Sequence, residues 1–288
     1  MDQNPPMSSR GATLLVLASI VSVQCGSALA TTLFDAIGPA GAVFLRASFG
    51  ALVLLAVTRG AVLRAREWPH RDVILLGIAV AAVNLFFYAA LERLPLGITV
   101  TLEFVGPLGV AVAGSRRARD LVWVLLAAAG IVLLSDGGDG GVDALGVVLA
   151  LTAGAFWAAY IVQSDRVGAL GPGPGGATMA AVISAVLVAP FGLIQGGGEI
   201  FVPSHLLIGA GVGILSTAIP YVFEIEALRR LPRAVFGVLM SLEPAVAAAI
   251  GFLALSQDLA PVELLAIGLV VIASAGALRS AAAPSPRD

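Results

Sequence analysis

Apolar residues in this chain gather into ten runs, at roughly 11–34, 39–58, 73–91, 96–114, 120–136, 143–164, 176–195, 205–226, 234–255 and 261–279. Each comes close to the ~20 residues that a helix needs to cross ~30 Å of hydrocarbon. Breakers separate the runs at Gly38-Pro39, Leu94-Pro95, Gly137 to Gly141, Gly171 to Gly176 and Gly196 to Gly198. Connections this short leave no room for a soluble domain. The pattern predicts an all-α membrane protein of ten transmembrane helices. Ala28-Leu29-Ala30 has the look of a leader-cleavage site, but the run before it is a full span and only Arg10 precedes it, so it reads as a retained helix.

Composition agrees: hydrophobic residues make up 59%, charged residues 12%, and the mean hydropathy is +1.00. A soluble domain carries about a quarter charged residues. All 16 basic side chains are Arg. With no lysine amine, the chain cannot build a P-loop, a pyridoxal phosphate site or a retinal Schiff base. Cys25 is alone within an apolar run and His70 and His205 fall in different loops, so no metal-ligand spacing exists and no cofactor is expected. No partner class follows from the small net charge of -2.

All the arginines except Arg46 and Arg93 fall in the tails or in loops on one side of the membrane. By the positive-inside rule that side is cytoplasmic, with both termini there. The stretch from Ala90 to Pro107 recurs from Ala227 to Pro244 at a constant offset of 137 residues, with both prolines of each copy kept. Five spans per half make the second copy begin on the far side of the bilayer, so the halves are predicted to be inverted. The units are residues 1–10 (cytoplasmic tail), 11–136 (first repeat), 143–279 (second repeat) and 280–288 (cytoplasmic tail). Inverted repeats are a recurring design of secondary transporters.

Two carboxylates stand inside apolar segments, Glu103 in the fourth span and Glu243 in the ninth, each near the bilayer centre at 1.5 Å per residue. An ionised carboxylate there costs about 2.5–3.5 kcal/mol even on lenient scales. Each therefore carries a proton in exchange for a substrate ammonium, or is tied to Arg46 or to helix-end amides beside Pro107 and Pro244. Arg46 binds a substrate carboxylate, neutralises Glu103 or snorkels outward. Asn84 and Tyr88 share a face of the third span, and Asn84 corresponds to Tyr221 at the repeat offset. Trp157, Tyr160 and Gln163 line one face of the sixth span, for cation–π contact with an ammonium or for packing. Gln24 and Thr31 form a polar stripe in the first span. Ser216 and Thr217, before Pro220, are expected to satisfy backbone carbonyls opened by that kink. Glu224 and Glu226 are expected in a solvated ion cluster with Arg229 and Arg230.

The segments Val100 to Pro107, Gly154 to Ile161, Leu215 to Tyr221 and Phe236 to Pro244 resemble the EamA branch of the drug/metabolite transporter superfamily. Within it they are most like the bacterial inner-membrane threonine/homoserine exporters. The similarity runs from about Ser19 to Ala277 and includes Arg116-Arg117; Thr31 stands where a lysine is expected. The resemblance implies ten helices as two inverted five-helix EamA repeats around a central cavity, with proton-driven efflux of a small metabolite. The candidate substrate-binding residues are Gln24, Arg46, Asn84, Tyr88, Glu103, Trp157, Tyr160, Tyr221 and Ser241, and Glu103 and Glu243 are the candidates for proton coupling. The expected partners are a small amino acid or analogue, protons and the lipid bilayer, with no nucleic acid, in a monomer or homodimer. The rival readings are export of aromatic amino acids, drugs or nucleobases, a channel, and an intramembrane enzyme using the two carboxylates.

Overall fold

The computed structural model describes residues 9–59, 70–113, 120–136, 143–170 and 175–282. The described residues form helices joined by short turns, with no strand among them. In chain order the helices are α1 (Ser9–Thr31), α2 (Phe34–Val57), α3 (His70–Leu91), α4 (Leu96–Glu103), α5 (Val105–Ala113), α6 (Leu121–Asp136) and α7 (Ala144–Leu170). They continue as α8 (Gly175–Gly196), α9 (Pro203–Gly213), α10 (Ile219–Leu228), α11 (Arg233–Met240), α12 (Glu243–Leu255) and α13 (Pro261–Ala282). A π-helical turn, Ile214–Ala218, joins α9 to α10.

Nine helical segments among the described residues are long and apolar enough to cross a membrane. Three of them are each made of two α-helices: α4 with α5, α9 with α10, and α11 with α12. The tenth apolar run is present as a shorter helix, its apolar stretch covering Leu121–Leu134. Arg64, Arg66, Arg116, Arg117, Arg119, Arg287 and the breakers at Gly137 to Gly141 and Gly171 to Pro174 lie outside the described residues.

Proline explains where the spans break. It has no N–H and its ring crowds the carbonyl four residues back. Pro107, Pro220 and Pro244 thereby strip the helical donor from the carbonyls of Glu103, Ser216 and Met240. The breaks follow at Phe104, at the π turn and at Ser241-Leu242. The two copies of the repeat agree in backbone detail. Pro95 and Pro232, 137 apart, sit at φ −53°, ψ 145° and φ −56°, ψ 139°, and each opens a helix of 8 residues. Those helices end at Phe104 and Ser241, again 137 apart, at φ −65°, ψ −12° and φ −63°, ψ −7°.

Packing also pairs like with like. α2 lies against α8 and α6 against α13, while α3 against α7 is matched by α1 against α9, the π turn and α10. The main core gathers Leu33, Ile37, Val43, Tyr88, Leu96, Val100, Val188 and Val212 from both halves of the sequence. Small residues let these helices approach closely. A Cβ at Gly106 would lie 1.8 Å from the Gly154 carbonyl oxygen, and one at Gly154 only 2.6 Å from that of Glu103. The break in the fourth span therefore rests directly on α7.

Side chains stitch the helix ends. The Gln257 Oε1 accepts from the Leu96 N–H at 2.9 Å and so caps α4, and Gln195 Oε1 accepts from the Ala40 N–H at 2.8 Å beside Gly38, whose φ is +68°. Asp143 caps α7 by accepting from the Leu145 and Gly146 N–H groups, and pairs at 3.0 Å with Arg93 in the turn before Pro95. The Gly146 N–H bond first, and then Arg93, holds the Asp143 carboxyl below the usual carboxylate range.

Candidate substrate site

Arg46 projects from α2 into the bundle and does not snorkel outward. Its Nη1 donates to the Tyr88 hydroxyl at 3.2 Å and its Nη2 to the Ser216 carbonyl at 3.3 Å, with the guanidinium carbon 5.5 Å from the Tyr88 ring centroid. The phenol is fixed in turn: Tyr88 is fully buried on α3 and tilted against Phe34 at 6.0 Å. The Ser216 carbonyl is available because Pro220 cannot donate to it. Its neighbour, the Leu215 carbonyl, accepts from Ser22 Oγ at 2.7 Å. α1 comes close enough for this because Gly26 faces Ser216; a Cβ at Gly26 would lie 2.1 Å from Ser216 Oγ. The open carbonyls of the π turn are thus met by Ser22 and Arg46 from other helices. The expectation that Ser216 itself would serve them is corrected, since its Oγ is buried without a hydrogen-bond partner.

Glu103 ends α4 and Glu243 opens α12, each beside a proline break, and they are only 7% and 6% exposed. Arg46 lies within coulombic reach of Glu103, and Glu243 within reach of both Glu103 and Glu224. Glu224 is the residue that sequence reasoning misplaced. Glu226 does form the expected ion cluster, with Arg229 and Arg230. Glu224 instead turns inward and accepts from the buried Ser19 hydroxyl on α1 at 2.7 Å. Two positions apart on a helix is about 200° of rotation, so the two carboxylates cannot share a face.

Tyr160 on α7 lies within coulombic range of Glu224, and Tyr221, one turn before Glu224, within that of Tyr160. Tyr160 is 37% exposed. The Tyr221 hydroxyl and Gln24 Oε1 join Ser216 Oγ as buried polar atoms without a partner. Each such atom costs about 1–3 kcal/mol unless something pairs with it. Such atoms call for an explanation, a bound water or solute among them.

Other candidates have partners of their own within the protein. The Asn84 amide donates to the Val80 carbonyl at 2.7 Å on its own helix, and Ser241 Oγ donates to the Val238 carbonyl at 2.6 Å beside the break in the ninth span. Trp157 meets Phe104 edge to face, centroids 5.2 Å apart, and belongs to the apolar cluster of α5, α6 and α13. Gln163 Nε2 ties α7 to the start of α3 through the Asp72 carbonyl and carboxylate. Thr31 Oγ1 bonds the Ala28 carbonyl.

The arrangement sets one guanidinium, main-chain carbonyls, phenols and three carboxylates together at the breaks of long apolar helices. These groups together offer charges of both signs and uncharged hydrogen-bonding groups. Residues 144–279 match the EamA-like transporter family. The chain is 42% identical over 265 residues to the threonine/homoserine exporter RhtA of Escherichia coli (strain K12), covering 91% of this chain and 90% of that protein. It is 40% identical over 265 residues to the protein of the same name from Salmonella typhimurium (strain LT2), again 91% and 90% of the two chains. The uncharacterized transporter YwfM of Bacillus subtilis (strain 168) is 27% identical over 240 residues. A solved crystal structure shares the fold, with a TM-score of 0.66 at 21% identity over 96% of this chain and 97% of that one. With an internal polar site, membrane-spanning helices and this similarity along nearly its whole length, the chain belongs to the EamA-like transporter family.

Proposed function

We propose that this protein exports threonine, homoserine or a closely similar small amino acid across the bacterial inner membrane, by alternating access and in exchange for protons. The observation that carries the reading is Arg46, bonded to the Ser216 carbonyl and Tyr88 inside the bundle, with Glu103 within coulombic range. An amino acid zwitterion has the complementary charges: its carboxylate suits a guanidinium, and its ammonium suits carboxylates. The names of the RhtA relatives support the same substrates.

In this reading Glu103 and Glu243 each hold a proton or face an ammonium, because a bare carboxylate away from water is costly. The residues proposed to contact substrate are Gln24, Arg46, Asn84, Tyr88, Glu103, Trp157, Tyr160, Tyr221 and Ser241. The units 11–136 and 143–279 act as inverted halves with both termini cytoplasmic. Support comes from the matched backbone at Pro95 and Pro232, the like-with-like helix pairing and the arginine asymmetry. Protons and one small solute are the partners, with no nucleic acid, in a monomer or homodimer.

The test is radiolabelled threonine and homoserine flux in proteoliposomes with an imposed pH gradient. Gradient-driven accumulation is expected in the wild type and lost in Glu103→Gln, with exchange retained. No flux of either amino acid removes the proposed substrates, and full coupling in Glu103→Gln removes its proton role.

A further inference from the structure

α5 and α7 run side by side in the same direction, with one crossing, α6, between them in sequence. They touch where Gly106 meets the Gly154 carbonyl and have parted by Gly109, where an added Cβ would find nothing within 4 Å. Along this stretch the two helices wall a cleft of about 780 Å³. No polar side chain lines it and no third helix contributes to it, so its remaining side opens on the flank of the bundle. The α7 wall is a single line, Leu151, Ala155, Ala158 and Val162, and Asp165 and Arg166 come next. At 3.6 residues per turn those two stand about 50° to either side of the line. Both are exposed, and neither has a hydrogen bond or ion pair among the described residues. With 27 residues α7 is about 40 Å long, the thickness of a bilayer with its headgroups. Its first end is fixed beside Asp143 and Arg93, so Asp165 and Arg166, near its last end, lie at the headgroups of the opposite leaflet. From Gly154 to Arg166 the helix rises about 18 Å, close to the ~15 Å of hydrocarbon in one leaflet.

We propose that this cleft binds one phospholipid of that leaflet, a phosphatidylethanolamine, with an acyl chain between α5 and α7, its phosphate on Arg166 and its ammonium on Asp165. A guanidinium presents the fork of donors that suits a phosphate. The carboxylate next to it selects a headgroup that brings its own cation and repels one of net negative charge. The depth of the cleft matches one leaflet, and its shape excludes a bulkier guest. A helix of another protein or of a second copy is 10–12 Å across and cannot enter an apex where two backbones touch, whereas a hydrocarbon chain can. The site requires only that the chain spans a bilayer, and it stands apart from the exporter reading.

Native mass spectrometry of the purified full-length protein tests this, with phosphatidylethanolamine and phosphatidylglycerol of identical acyl chains supplied in equal amounts. One phosphatidylethanolamine is expected to stay bound, at least tenfold better retained than phosphatidylglycerol. Gly109→Leu, which fills the cleft, and Arg166→Gln, which removes the phosphate partner, are each expected to cut retention tenfold or more. Asp165→Asn is expected to abolish the preference between the two lipids. Val186→Phe, on the exposed flank of α8, is expected to change nothing. Equal retention of both lipids by the wild type, or a preference for phosphatidylglycerol, overturns the proposal without recourse to any variant. Retention that survives Gly109→Leu means annular lipid only and overturns it too, as does a second copy of the chain held through the cleft in place of lipid.

Discussion

The Arg46 guanidinium donates at 3.3 Å to the Ser216 carbonyl, an oxygen four residues before Pro220, which has no N–H to give it. A single planar group thereby bridges α2, α3 and the π turn, since its other arm reaches Tyr88 at 3.2 Å. Lysine carries the same charge but not the fork that spans two acceptors. Arg46→Lys is expected to raise the KM for the transported amino acid about tenfold, the loss of one hydrogen bond to a charged group, about 1.5 kcal/mol. Initial rates in proteoliposomes check this, and an unchanged KM would show that neither bond matters to binding.

The crossing of the fourth span with α7 leaves no volume for a methyl group at Gly154, where an added Cβ would meet the Glu103 carbonyl at 2.6 Å. Gly154→Ala is expected to cost about 1–3 kcal/mol, the usual penalty of overpacking. Gly109 lies one turn beyond the break, with nothing within 4 Å of an added Cβ, and Gly109→Ala should stay within about 0.5 kcal/mol of wild type. Thermal unfolding midpoints in one detergent compare the two, and equal midpoints would contradict the packing described.

Asp143 predicts a pH dependence of definite sign. Its folded carboxyl titrates below the ordinary value of about 3.9, chiefly through the Gly146 N–H and then Arg93. The stabilisation is therefore complete above that ordinary value and disappears as pH falls through the lower, folded one. Asp143→Ala should unfold at a lower temperature than wild type at pH 7, with the gap closing in strong acid. A gap that widens in acid would reverse the sign.

Gln257 provides the acceptor for the first N–H of α4, a group that no residue of α4 can serve. Gln257→Ala is expected to cost about 1 kcal/mol and Gln257→Glu, which keeps an acceptor, less. Amide hydrogen exchange at Leu96 reads the cap directly, and protection that survives the alanine change would show that another group does the capping.

Much of this architecture was legible before any coordinates. The apolar runs gave the helices, Pro107, Pro220 and Pro244 marked the broken ones, and the 137-residue offset anticipated the matched turns at Pro95 and Pro232. Arg46, Tyr88, Glu103 and Glu243 stood out because polar groups are rare in such segments. Glu224 did not, because near a helix end sequence distance cannot tell an inward face from a solvated one; only the approach of Ser19 from α1 decides it. Spacing did not give the partners of Asn84 and Gln163 either: Asn84 bonds its own helix and Gln163 bonds Asp72. Those bonds depend on rotamers and helix rotation, which residue spacing leaves open. The π turn was hidden too, since one additional residue in a turn changes no hydrophobic period.

The acceptor that Pro220 sets free belongs to the main chain, so no exchange of the residue at 216 deletes it. Evolution can redraw the side chains around it, among them Gln24 and Tyr88, and change which solute fits. The oriented peptide dipole that Arg46 grips survives every such change, until the proline itself is lost.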